Sequence, residues 1–187
     1  AILRTHEHKY HTGGIDDVRA FNYTHRVSVD ISATERVHQT VRKEFDYAFE
    51  EDKDPGAPEI NLITITEEPF FVKDIEVTPV FGRHYAIPVV GFRIGSIAYL
   101  TDFNRISDSE IDKIKGVEIL VINALRKEKH ISHFTIEEAL EVSKKVGAKH
   151  TYLTHSSHQI GLYQDVCKEL PEDVTLAYDG LVVESQD

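Results

Sequence analysis

The chain is poor in several residue types, and each shortage excludes something. It has one cysteine, Cys167, in 187 residues, and neither methionine nor tryptophan. A lone thiol rules out an internal disulfide framework and fits a reducing, cytoplasmic setting. The longest apolar runs, such as the one from Val117 to Ala124, are strand-sized, so no transmembrane helix is expected. The N-terminus lacks the basic-then-apolar pattern of a secretory signal. Positive charge is scarce: 21 Lys and Arg stand against 32 Asp and Glu, a formal net charge of −11. With no basic run to offset it, this balance argues against non-specific nucleic-acid binding, which needs cations to displace counterions. With 41% hydrophobic and 28% charged residues, the composition is that of a globular protein rather than a disordered one.

The pattern that remains alternates short apolar runs with amphipathic stretches, as in an α/β protein. Strands are expected over 2–5, 26–31, 60–65, 69–72, 75–81, 89–94, 97–101, 117–124 and 150–154. A terminal hairpin over 174–178 and 181–184 is expected around Asp179-Gly180. Ser32 with Glu35, Ser107 with Glu110 and Thr135 with Glu138 have capping-box spacing at three helix starts. The loop signal EDKDPGAP at 51–58 is the strongest breaker, and no linker divides the chain, so residues 1–187 read as one domain.

Histidine is abundant, with 11 residues. His6, His8 and His11 fall within THEHKYHTGG, directly after a strand end and before two glycines. Three imidazoles this close in a tight loop can converge on one point, and imidazole suits zinc, iron, nickel or copper. His84, Asp102, His133 and His155 also fall at strand ends or in the loops after strands, where α/β sites gather. His38, on an expected helix, is read as a surface residue, and His158 as a residue placed to orient a ligand. Ser156 and Ser157 have no triad partners, and Cys167 sits in an amphipathic helix as a core residue.

The segments THEHKYHTGGIDDVRAF, RHYAIPVVGFRIG, AYLTDF, HISHFTIEEAL, YLTHSSH and AYDG, in this order, resemble the metallo-β-lactamase-fold hydrolases. The similarity is to the branch holding the cyclic-phosphate phosphodiesterase of phosphonate breakdown, itself related to the transfer-RNA 3′-processing endonucleases. The resemblance implies an αββα four-layer sandwich. It implies a first metal held by His6, His8, His84 and Asp102, with Asp102 bridging to a second held by His11 and His155. It also implies that His133 contacts substrate phosphate and acts as the acid to the leaving group. The implied activity is hydrolysis of a small (cyclic) phosphodiester by metal-bound hydroxide. The implied cofactor is zinc, with manganese or iron as alternatives. A small phosphodiester is the expected partner, nucleic acid and membrane are not, and a homodimer is compatible with the sequence.

Two departures qualify the resemblance. Tyr10 stands where the family carries an Asp ligand of the second metal, so one tightly bound metal is expected and a weakened second site. Family members also carry strands before the motif, whereas this chain opens at Ala1 inside a strand, so it is expected to lack an N-terminal piece. Alternative functions are an RNA-processing nuclease of the same fold, which the charge disfavours, and a catalytically degenerate metal-binding protein, which Tyr10 motivates.

Overall fold

The computed structural model describes residues 1–185 as two compact units, one from Ala1 to Glu68 and one from Pro69 onward. Each has its own sheet and its own apolar core.

The first unit carries a parallel sheet of β1 (Ile2–Leu3), β2 (Val29–Ala33) and β3 (Ile60–Thr64), in that order. Between β1 and β2 lie α1 (Lys9–Thr12), a 3-10 segment (Gly13–Val18) and α2 (Arg19–His25). After β2 comes α3 (Glu35–Glu44). Ile15, Ile31, Ala33, Val37, Val41, Phe45 and Ala48 form the core between this sheet and its helices. The strand expected at 26–31 runs later, because β2 is the central strand and pairs on both sides through Ser32, with Leu3 and with Ile63. Ser32 therefore belongs to the ladder and cannot cap α3. Thr34 takes the cap position instead, without a side-chain hydrogen bond. His38 is also not a surface residue: it is 2% exposed. It borders the Val37–Val41 stripe of α3, and an apolar stripe wider than a single row of residues takes its neighbour into the core with it.

The second unit has an eight-stranded mixed sheet. Its strands are β4 (Phe70–Val72), β5 (Ile75–His84), β6 (Ile87–Ile94), β7 (Ile97–Leu100), β8 (Arg105–Ile106), β9 (Ile119–Asn123), β10 (His150–Thr154) and β11 (Val174–Leu176). The order is β11-β10-β9-β7-β6-β5-β4, with β8 paired to β5. Strands β7, β9, β10 and β11 are parallel, and the antiparallel pairs β5–β6 and β6–β7 give β5 the same direction. The C-terminal ends of β5, β7, β9 and β10 thus share one edge. Helices α4 (Asp108–Asp112), α5 (Ile136–Val146) and α6 (Tyr163–Glu169) complete the unit. Val80, Leu100, Phe103, Leu120, Ile122 and Leu153, each fully buried, anchor a core that α5 and α6 cover with Ala139, Val142 and Val166.

Two local features bear on the site. A Cβ at Gly82 would lie 2.2 Å from the Phe103 ring and 2.8 Å from the Arg105 carbonyl, so only glycine lets β5 approach the segment that follows β7 so closely. The expected terminal hairpin does not form. Leu181 N–H donates to the Tyr178 carbonyl at 3.1 Å, so the turn is present, but β11 pairs in parallel with β10 and residues 181–185 carry no strand.

Candidate metal centre

The histidine-rich loop of the first unit begins two residues after β1. Its first imidazole, His6, is completely buried, and its Nδ1 lies 3.0 Å from the Thr5 hydroxyl. The same hydroxyl is 3.4 Å from His11 Nδ1. His6 Nε2 and His8 Nδ1 stand 3.0 Å apart. Two imidazole nitrogens at that separation cannot both present lone pairs across an empty gap, so a proton or a cation belongs between them. The loop is tied down by Thr12, whose hydroxyl donates to Glu44 Oε2 at 3.2 Å. Tyr10 occupies the second position of α1 and is 101% exposed, so its phenol faces solvent.

In the second unit, His84 closes β5 at the last pair of the β5–β6 hairpin, opposite Ile87. Its Nδ1–H donates to the Ser132 carbonyl at 2.8 Å. That bond fixes the tautomer and leaves Nε2 as the lone-pair nitrogen, the arrangement that metal-ligating histidines use. Asp102 lies two residues past the end of β7, and His155 follows directly on the end of β10. Both sit in left-handed backbone, with φ of 62° and 56°. For a residue other than glycine this conformation costs on the order of 1–3 kcal/mol and concentrates at functional sites. Asp102 is 3% exposed and accepts from the Thr101 hydroxyl at 3.0 Å through Oδ1. His155 Nδ1 is 3.0 Å from the same oxygen, and His133 Nε2 is 4.0 Å from it. The His133 ring lies nearly parallel to that of His155, 4.8 Å between centroids, and meets His84 edge-on at 4.6 Å. Burial first, then His84 and His155, pushes the His133 pKa down to about 4.

Several residues that the sequence reading passed over hold this arrangement. Asn123, wholly buried at the end of β9, accepts from Phe103 N–H at 2.7 Å and donates to the Phe103 carbonyl at 2.9 Å, clamping the residue after Asp102. Asn104 accepts from Tyr85 N–H at 2.9 Å and donates to the Ile131 carbonyl at 2.7 Å, joining the segments that carry His84, Asp102 and His133. Ser132 and His130 flank His133 at Nδ1, at 3.0 and 3.2 Å. The available signal was positional, since Asn123, like Asp102, is a polar residue closing an apolar strand. Ser156 donates to the Ala124 carbonyl at 3.1 Å, which leaves its hydroxyl engaged with the backbone. His158 is exposed.

Imidazoles and one carboxylate, with backbone or hydroxyl groups holding the remaining ring nitrogens of His6 and His84, are a donor set that suits a borderline divalent metal. Asp102, His133 and His155 each place one such atom within 4.8 Å of the others. The elements and this donor chemistry define a mixed α/β protein of the metallo-β-lactamase class. The chain belongs to the Beta-lactamase superfamily domain family, whose profile matches residues 1–156.

A solved diphosphatase of the PhnP family is 32% identical, with a TM-score of 0.87, covering 96% of this chain and 68% of that one. The short form of human tRNase Z is 20% identical with a TM-score of 0.68, covering 98% of this chain and 78% of that one, a likeness of fold. A curated relative from Porphyromonas gingivalis (strain ATCC BAA-308 / W83), an octanoyltransferase, is 36% identical over 183 residues. That match takes in 97% of this chain, which spans 37% of the length of the relative.

Proposed function

We propose that this chain is a metal-dependent hydrolase acting on small phosphodiesters, with His6, His8, His84 and Asp102 as ligands of one metal. Within the second unit, the observation that carries the reading is the Asp102–His155 pair on two strained strand ends beside His84, whose Nδ1 is already engaged. The family match spans residues 1–156 and so takes in each of these ligands. The resemblance adds His11 and His155 as the ligands of a second metal. Zinc is the metal we favour, with manganese and iron next, because imidazole and carboxylate serve all three.

A divalent metal, when bound, supplies Lewis acidity toward a phosphoryl oxygen and toward water. The chain's own residues hold and orient. Thr5 and the Ser132 carbonyl keep His6 and His84 turned with one nitrogen outward. Thr101 steadies Asp102 through its hydroxyl. His133 fits less well as the proton donor that the resemblance implies. At neutral pH it carries no spare proton in the free protein, since its pKa lies near 4. An anionic phosphate brought beside it would raise that value.

The PhnP-family relative is described as a diphosphatase, so a small diphosphate is the second substrate class we expect. The name of the Porphyromonas gingivalis relative is not carried over, because the match covers 37% of that protein and the site here is built of imidazoles and a carboxylate. The single thiol, Cys167, partly buried, fits a cytoplasmic setting. The test is a substrate panel with the metal-loaded protein: bis-p-nitrophenyl phosphate, a ribosyl cyclic phosphate, a nucleoside diphosphate derivative and a precursor transfer RNA. Turnover of the small esters without cleavage of the RNA supports the reading. RNA cleavage alone makes the protein a nuclease, and no turnover of any substrate makes it a degenerate metal binder.

A further inference from the structure

We infer that Arg83 and Arg105, in the second unit, form an anion site that takes a phosphate group as its dianion. The inference goes beyond the hydrolase reading and does not draw on it. It starts from a strand pair. Strands β5 and β8 meet through two residue pairs, Gly82 with Ile106 and Arg83 with Arg105. Gly82 permits the approach, since a Cβ there would lie 2.8 Å from the Arg105 carbonyl. Residues directly opposite in an antiparallel pair project from the same face, roughly 4.5–5.5 Å apart at Cβ, and like charges so placed repel. Strand β8 is thus held on β5 with two exposed arginines side by side.

Nothing acidic neutralises the pair, although the chain carries a net charge of −11. Among the described residues, arginine meets carboxylate at Arg19 with Asp16 and at Arg36 with Glu7. Arg83 Nη1 instead donates to the Ala86 carbonyl at 3.4 Å, a contact that orients the guanidinium and leaves its charge in place. The nearby carboxylates are committed elsewhere. Glu110 accepts from Phe81 N–H through Oε2 at 2.7 Å and pairs through Oε1 with Lys113 Nζ at 2.9 Å. Asp108 pairs with Lys145 Nζ at 2.9 Å.

The two arginines line one cavity of about 270 Å³ with Phe81, Ser107 and Glu110. That size lies at the lower limit of ligand pockets, roughly 300 Å³, and suits a small ligand. Each guanidinium presents N–H donors in a planar fork that matches carboxylate or phosphate oxygens two at a time. Two forks and two charges on one cavity exceed what a single carboxylate satisfies. A phosphate monoester matches them, with three acceptor oxygens and a charge of about −1.5 to −2 at neutral pH. It also cancels the repulsion that the register imposes. Arg83 and His84 are consecutive in β5, and consecutive strand residues face opposite sides of the sheet, so this site is separate from the imidazole cluster. Inorganic phosphate and an organic phosphomonoester share the chemistry, and the test separates them.

The experiment reads the arginines one by one. The full chain, metal-loaded and freed of excess metal, is treated with phenylglyoxal, which modifies exposed guanidinium groups, and the modified peptides are quantified by mass spectrometry. Inorganic phosphate or ribose 5-phosphate is added, against sodium chloride at equal ionic strength, with exposed Arg26 as the internal reference. Near saturation, modification of Arg83 and Arg105 is expected to slow about tenfold, as occupancy of about 90% requires, while Arg26 keeps its rate. Protection by both probes supports a site for phosphate itself, and protection by ribose 5-phosphate alone supports a site for an organic phosphomonoester. Protection by neither overturns the inference, and so does equal protection of Arg26. Arg105→Gln gives a second reading: one fork remains, and the protection of Arg83 is expected to be lost. Arg83 protected as fully in Arg105→Gln as in the unmodified protein overturns the paired site. Turnover does not enter the readout, so a phosphodiester panel that stays silent sinks the hydrolase reading and leaves this one standing.

Discussion

Asp102 and His155 are held in a backbone conformation that neither residue type prefers, and the sequence carries no mark of it. Their position after apolar strands was legible, because buried parallel strands read as near-continuous apolar runs. Their pairing was not, because it depends on parallel registry between β7, β9 and β10, which local pattern does not set. His38 shows the converse error. A histidine beside an apolar stripe was read as surface, and it is a core residue whose Nε2 approaches the Ile31 carbonyl at 3.3 Å. Burial lowers its pKa below the ordinary 6.5. The unfolded chain therefore binds a proton more readily than the folded one. The stability contributed by neutral His38 is present above its unfolded pKa and is lost as pH falls through the lowered folded value. We expect His38→Gln to lose melting temperature less steeply than the unmodified protein from about pH 7 to about pH 5. Parallel profiles would contradict this.

At the scale of elements, the strand runs and the three helix starts were readable, and the cap residues only partly. At α5 the reading held: Thr135 accepts from Glu138 N–H at 3.1 Å and Glu138 returns a bond to Thr135 N–H at 2.9 Å. At α4, Ser107 accepts from Glu110 N–H, but the Glu110 carboxylate serves Phe81 N–H at 2.7 Å instead. Pairing with β5 recruited a side chain that helix spacing alone assigned to the cap. At α3 the cap moved to Thr34, whose side chain makes no cap bond. Thr135→Ala should therefore cost about 1 kcal/mol of stability in urea unfolding. Thr34→Ala should cost close to none, and equal losses would show the distinction to be wrong. The segment β8 and the missing terminal hairpin were beyond local reading for the same reason, since a two-residue strand and an edge strand are fixed by their partner rather than by their own sequence.

Taken whole, the chain is acidic, and none of its described helices is long and apolar enough to cross a membrane. A net charge of −11 leaves little to displace counterions from a polyanion. We expect no retention on immobilised single-stranded RNA at moderate salt, and retention there would favour the nuclease alternative. The central claim is that hydrolysis depends on a metal held by these histidines and Asp102. Bis-p-nitrophenyl phosphate turnover is therefore to be followed through chelation, dialysis and re-addition of zinc or manganese, alongside His84→Ala. The account predicts that turnover vanishes with the metal, returns when it is restored, and does not return in His84→Ala. Turnover that survives complete metal removal, or that His84→Ala retains at the unmodified level, would contradict it.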